Sequence, residues 1–163
     1  MPQEITFSPV GVVRTGATQS EVKERGEELT YDIVIFPEYQ QALEGIDGFT
    51  HLIVLFHFNQ LRPDQQGVLK VQPRRMLKFG FTLDQLPWVG VFCLDSPSRP
   101  NPIGLSVVKV LGRNGNTITV RGLEAFDGSP VLDIKPYTPD RAIQDVGVPE
   151  WYRRLADSSA GRV

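Results

Sequence analysis

The chain has 163 residues, 40% of them hydrophobic and 22% charged, with a net charge of −2. That length can bury a sizeable core without disulfides or a structural metal, and the charge argues against a nonspecific nucleic-acid coat. A lone cysteine, Cys93 in the apolar context VFCLD, excludes a disulfide framework and reads as a buried thiol in a cytoplasmic protein. The N-terminus MPQEITFSPV lacks the basic, apolar and cleavage-site succession of a leader, and no apolar run reaches membrane-spanning length.

In chain order, charge is unevenly spread from the start. Residues 20–47 hold eight carboxylates against two cations, whereas residues 61–81 hold five cations (Arg62, Lys70, Arg74, Arg75 and Lys78) against Asp64 alone. A basic patch on an acidic protein suits RNA touching one face, although such runs are commonly solvated loops. Leu29–Pro37 predicts a strand, and Glu38–Leu43 a short helical turn. The run from Phe49 to Phe58 predicts the strongest strand. Its even positions, Leu52, Val54, Phe56 and Phe58, are all apolar, and its odd positions carry His51, Ile53, Leu55, His57 and then Asn59. Period-two geometry makes one face core and gives the other the mixed character of a ligand wall.

Trp88–Leu94 predicts a short apolar strand. It leads into SPSRPNPIGLSVV, residues 96–108, where Pro97, Pro100 and Pro102 stiffen a loop that carries Arg99 and Asn101. Both polar residues precede a proline, so their backbones are held extended before any ligand arrives. Ser106–Leu111 and Thr117–Val120 predict a hairpin turning through Asn114–Gly115 in a type I′ turn, with Ile118 and Val120 inward. Asp127–Gly128 predicts another turn, followed by a strand at Val131–Ile134. The run VPEWYRRLA from Val148 predicts one C-terminal helix. Residues 1–156 are expected to form one domain and 157–163 a flexible tail. Many short strands with little helix predict an all-β, small single-domain β-barrel with short helices.

Familiar cofactor and catalytic motifs are missing. No glycine-rich strand–turn–helix, Walker loop or nucleophile elbow occurs, and two histidines and one cysteine give no metal-ligand spacing. Read alone, Asp127 is a turn-forming residue before glycine, Asp133 a salt-bridge or cap residue, and Lys135 a solvated strand position.

Four ordered segments carry a resemblance. They are PVGVVRT at Pro9–Thr15, LEGIDGFTHLIVLFHF at Leu43–Phe58, SPSRPNPIGLSVV at Ser96–Val108 and DGSPVLDIKPY at Asp127–Tyr137. Together they resemble the TrmO (TsaA-like) family of S-adenosylmethionine-dependent tRNA methyltransferases built on a small β-barrel.

The resemblance implies N6-methylation of threonylcarbamoyl-adenosine beside the tRNA anticodon by a homodimeric cytoplasmic enzyme with S-adenosylmethionine as cofactor, tRNA as partner and no metal or membrane. It places the cofactor on Asn59, Gln60, Leu105 and the turn Phe126, Asp127, Gly128 and Ser129. Arg99, Asn101, Lys135 and Tyr137 are the expected tRNA or modified-base contacts, Arg99 as a fork on a phosphate or on the threonyl carboxylate. The ureido-type acceptor nitrogen is a poor nucleophile, and Asp127, Asp133 and His57 are all candidates to assist loss of its proton.

Two departures qualify the substrate. Many relatives have Arg where this chain has Asp95, a cofactor-site position that here reverses its charge. The Pro-Arg-Gln stretch many relatives carry after the first strand is replaced by the acidic segment Gln19–Glu28. A methyltransferase of this fold on another substrate, and a noncatalytic barrel binding S-adenosylmethionine or RNA, therefore stay beside the tRNA reading.

Overall fold

The computed structural model describes residues 2–160. In chain order it holds β1 (Gly11–Arg14), α1 (Gln19–Arg25), β2 (Thr30–Ile35), β3 (His51–His57), β4 (Lys70–Val71), β5 (Val89–Gly90), β6 (Ile103–Asn114), β7 (Thr117–Arg121), β8 (Pro130–Pro136) and α2 (Glu150–Ala160), joined by loops and 3₁₀ turns. The chain divides into two units. The first comprises residues up to Gln60 and Pro102–Arg141; the second comprises Leu61–Asn101 and the residues from Ala142 onward.

The first unit is the all-β barrel that the strand pattern predicts. Six strands close in the order β1-β2-β7-β6-β3-β8, and every neighbouring pair is antiparallel. Alternation dictates what fills it: Leu52, Val54 and Phe56 of β3 meet Val13, Tyr31, Ile33, Val108, Ile118, Val120 and Val131 in the buried interior. Each such side chain contributes roughly 1.5–3 kcal/mol by leaving water. β3 lies between β6 and β8, pairing with β6 from His51↔Lys109 to His57↔Ile103. Gly104 is required there, because a Cβ would stand 2.4–2.8 Å from the Phe56 ring.

Several elements differ from the sequence expectations. The β6–β7 hairpin forms, but Asn114 pairs with Thr117, so Gly115 and Asn116 make the loop. Gly115 has φ +62° and Asn116 is not in the left-handed region, which fits a turn with glycine first rather than type I′. The acidic segment after β1 contains α1, closed by a capping box: Thr18 Oγ1 accepts from the Glu21 amide and the Glu21 carboxylate accepts from the Thr18 amide. Those contacts, with Arg25, hold the Glu21 carboxyl below its usual range, the Thr18 amide contributing most.

In the second unit only Val89–Gly90 of the expected strand at Trp88–Leu94 finds a partner, β4. Val91–Cys93 closes as a 3₁₀ turn that buries Val91 and turns Phe92 and Cys93 outward. Cys93 is therefore exposed, not buried, because a tight turn cannot hide three successive side chains. The C-terminal helix runs from Glu150 to Ala160, so residues 157–160 of the expected tail are helical; residues 161–163 lie outside the described residues. No helix among the described residues is long and apolar enough to cross a membrane.

Tyr31 is 1% exposed, and its hydroxyl donates to the Gly26 carbonyl at 2.9 Å, tying β2 to the end of α1. Burial raises this phenol from 10.0 to about 12, so folding favours its protonated form. Its contribution is complete below pH 10 and is lost as pH rises from about 10 to about 12. Urea unfolding across this window should show stability falling, with the fall reduced in Tyr31→Phe.

Candidate functional site

One end of the barrel is built where β1 and β3 finish and β6 and β8 begin. Four chain segments converge there: the loop after β1, helix α1, the residues following β3 and the turn before β8. The turn is fixed by backbone pairing to β1. Gly128 N–H donates to Val13 C=O at 2.8 Å, and Val13 N–H to Ser129 C=O at 2.9 Å. Gly128 takes φ +84°, a conformation that costs glycine little. Ser129 is buried, and its hydroxyl donates to Phe126 C=O at 2.7 Å, closing the turn from within.

Asp127 sits exposed at the tip. Its Oδ1 accepts from the Thr15 amide at 3.0 Å, while its backbone carbonyl accepts from Gln60 Nε2 at 3.0 Å. Gln60 in turn accepts from Gln19 Nε2 at 2.9 Å and lies 3.5 Å from Asn59 Oδ1. Helix α1, the end of β3 and the Asp127 turn are thus tied through one glutamine. Lys23 of α1 stands 5.7 Å from the centre of the half-buried Phe126 ring, within cation–π range. This mouth brings together six predicted cofactor residues: Asn59, Gln60, Phe126, Asp127, Gly128 and Ser129. Gln19, Lys23 and Thr15 complete it, and sequence reasoning missed all three. The capping-box pattern TQSE was the available signal for the helix that carries Gln19 and Lys23.

The other predicted barrel residues lie elsewhere. The odd positions of β3, expected to form a ligand wall, point to the outer face, where Leu55 is flanked by Leu105 of β6 and Asp133 of β8. Leu105 is 62% exposed there. His57 shares this outer face, opposite Ile103. Asp133 is engaged locally, accepting from the Ile134 amide at 2.9 Å and pairing with Lys135 Nζ at 3.1 Å. Tyr137 lies edge-on to His51 at the far end of β3, with ring centres 6.5 Å apart.

In the second unit the proline-rich loop is held by its own arginine. Arg99 Nη1 donates to Leu94 C=O at 2.7 Å and Ser96 C=O at 3.1 Å, and the Ser98 amide donates to Ser96 Oγ at 3.2 Å. The resemblance implies that the Arg99 fork meets a phosphate or carboxylate. The structure spends one nitrogen of its fork on loop carbonyls that proline cannot satisfy. Asp95 and Asn101 are exposed. The described residues include no group of three His, Cys, Asp or Glu side chains able to hold a metal ion.

A family model described as tRNA-methyltransferase O N-terminal domain matches residues 17–142, which include α1, the five barrel strands other than β1 and the Asp127 turn, but not β1 or Thr15. The chain belongs to the TrmO family. It is 41% identical over 137 residues to the S-adenosyl-L-methionine-binding protein of Archaeoglobus fulgidus, covering 82% of this chain and 90% of that protein. It is 37% identical over 106 residues to the tRNA (adenine(37)-N6)-methyltransferase of Mus musculus, covering 65% of this chain but 22% of the mouse protein. The crystal structure of TrmO from Pseudomonas aeruginosa superposes with a TM-score of 0.67 at 28% identity, over 89% of this chain and 61% of that one. This chain therefore spans about three fifths of the solved relative.

The Thr15 bond predicts unequal effects at Asp127. Asp127→Asn keeps an oxygen for the Thr15 amide, whereas Asp127→Ala removes it. Urea denaturation should find the alanine variant less stable than the asparagine variant by roughly 0.5–1.5 kcal/mol.

Proposed function

We propose that this chain is an S-adenosylmethionine-dependent tRNA methyltransferase that methylates N6 of threonylcarbamoyl-adenosine beside the anticodon. The observation that carries the reading is the family match over residues 17–142, which includes every barrel strand but β1 and all the side chains tied together at the mouth. The mouse relative, named for transfer to the N6 of a tRNA adenine, supports the substrate class.

The residues at the mouth suit the cofactor's chemistry. Asn59 offers amide donors and an acceptor, Phe126 an apolar ring for a heteroaromatic base, and Asp127 a carboxylate for a cationic or hydroxylated ligand. Bound there, S-adenosylmethionine supplies a methyl group already activated by its sulfonium.

The protein's own task is then positional, because near-attack geometry of about 3–3.5 Å carries much of such a barrier. Gln60 holds the Asp127 turn against the end of β3, and Thr15 fixes Oδ1. Oδ2 is left to accept the proton of the acceptor nitrogen. Asp127 is the better of the three proposed bases, since Asp133 is already bonded to Lys135 and to the Ile134 amide, and His57 lies on the outer face. Arg99 and Asn101 remain proposed substrate contacts, Arg99 through the nitrogens not used by its loop. Lys135, Tyr137 and Leu105 would meet substrate or cofactor only from the outer face. Asp95 marks the second reading, binding without transfer or transfer to another acceptor, because an anion there cannot donate to a carboxylate or phosphate.

Mass spectrometry of tRNA nucleosides should decide the reaction. Pure protein, S-adenosylmethionine and threonylcarbamoyl-modified tRNA should yield the modified adenosine plus one methyl, without added metal. Asp127→Asn should slow this about 100- to 10,000-fold, the range of a lost general base. Calorimetric binding of the cofactor with no methyl gained on tRNA would instead support the binding-only reading.

The outer face supports a homodimer. Ile103, Leu105 and Val107 of β6 are 43%, 62% and 46% exposed beside Leu55, a contiguous apolar stripe of the kind two-fold assemblies bury. Light scattering at tens of micromolar protein should return twice the chain mass. Leu105→Asp should return the monomer with its barrel intact by circular dichroism.

A further inference from the structure

The second unit contains an open groove of about 960 Å³, lined by residues of that unit alone, Arg99 and Asp95 among them. Five cations line it, Arg62, Lys70, Arg74, Arg75 and Arg99, against the carboxylates of Asp64 and Asp95. Asp64 is bonded to Arg62 at 3.1 Å, which lowers its carboxyl and leaves the remaining cations in excess. Lys70 and Arg74 are exposed, and neither is held in an ion pair among the described residues.

Aromatic rings lie among these charges. Phe92 is 82% exposed, Trp88 62% and Tyr152 46%, and all three line the groove. Three large rings left in water are costly for the fold, since burying such a side chain gives about 1.5–3 kcal/mol. Phe92 is outward because the 3₁₀ turn Val91–Cys93 buries Val91 in its place. Tyr152 stands on α2, where its ring packs edge-on to Trp151, 5.8 Å between centres.

We infer that this groove binds single-stranded RNA, with bases stacked on Phe92, Trp88 and Tyr152 and phosphates held by Lys70 and Arg74. Interleaved cations and exposed ring faces are what an unpaired strand requires. The cations answer the backbone charge, and every base has a flat face to stack. An acidic peptide would satisfy the cations and leave the rings in water. The inference rests on the tRNA reading above and deepens it, because an anticodon loop presents unpaired bases.

Fluorescence anisotropy with a labelled oligoadenosine strand, and no cofactor, tests the groove apart from the reaction. The wild-type chain should bind the single strand more tightly than a duplex of equal length. Phe92→Ala and Trp88→Ala should each weaken binding about 5- to 150-fold, the effect of one lost stacked base, while Phe92→Tyr restores it. Arg74→Ala should lower the salt slope by about 0.7 with the rings intact. All three side chains are exposed, and unchanged thermal melting checks that the variants fold. Equal binding by wild type, Phe92→Ala and Trp88→Ala overturns the inference. So does an oligoglutamate peptide that displaces the RNA and binds wild type and Phe92→Ala alike, since that surface would read charge and serve an acidic protein. Failure of the two ideas is distinguishable. Methylated tRNA with no ring dependence of oligoadenosine binding removes the groove alone, whereas ring-dependent binding with no methyl transfer removes the reaction alone.

Discussion

The barrel depends on a short seam. β1 and β8 meet through only two pairs, Gly11↔Val131 and Val12↔Pro130, and this contact converts a curved sheet into a closed one. A closed sheet has no free edge, and its interior is sealed on all sides. Gly11 in this seam is also held close to its other neighbour, β2, where a Cβ would stand 2.5 Å from the Val34 carbonyl. The seam's continuation past Val12 is what seats the Asp127 turn, through the Gly128–Val13 and Val13–Ser129 bonds. The proposed active site is therefore the next few hydrogen bonds of the barrel's closure, and perturbing the seam should disturb fold and site together.

Where a pattern repeats along one strand, the sequence is a good guide. The even residues of β3 face inward because a pleated strand offers no other arrangement, and Ile118 and Val120 of β7 follow the same rule. Where structure depends on finding a partner, local pattern is silent. Trp88–Leu94 has the apolar character of a strand, yet β4 is two residues long and pairs with Val89 and Gly90 alone. The exposure of Cys93 follows from the same shortage, since the unpaired remainder coils into a turn. The hairpin loop shifted by one residue because strand pairing extended through Asn114, and register outweighs a favoured dipeptide.

The mouth was legible in its backbone and not in its side-chain network. Asp127–Gly128 announces a turn, and the end of a strong strand at Asn59 and Gln60 announces a strand mouth. That these meet is written nowhere in the local sequence. Gln60 and Asp127 are 67 positions apart, and Gln19 and Gln60 are 41 apart. The family resemblance supplied what spacing could not. It grouped Asn59 and Gln60 with Phe126–Ser129, and it also grouped Leu105 with them, although the strand register sends Leu105 to the outer face. Glutamine is a poor landmark in a sequence, since its long amide is usually solvated. Here a single one receives from α1 and donates to the Asp127 turn.

The two units also divide the chemistry by charge. Acidic residues concentrate in the first 47 positions, all in the first unit, while four of the five cations of residues 61–81, Arg62, Lys70, Arg74 and Arg75, line a groove in the second unit. A net charge of −2 hides this separation, because an average over the chain cancels fields that act locally. An RNA drawn only by net charge would be repelled. One drawn by the groove would be gripped where cations and rings share one lining and left ungripped by the acidic barrel, which limits contact to few phosphates. Few phosphate contacts mean a shallow salt dependence and a short dwell time. Specificity must then come from what the acceptor base itself offers, and a bulky carboxylate-bearing modification offers more than a plain adenine. On that argument Asp95 is the informative substitution in this chain. It places a negative charge on the wall of a cationic groove, where it opposes anionic ligands in general and makes binding more dependent on the stacking that the rings provide.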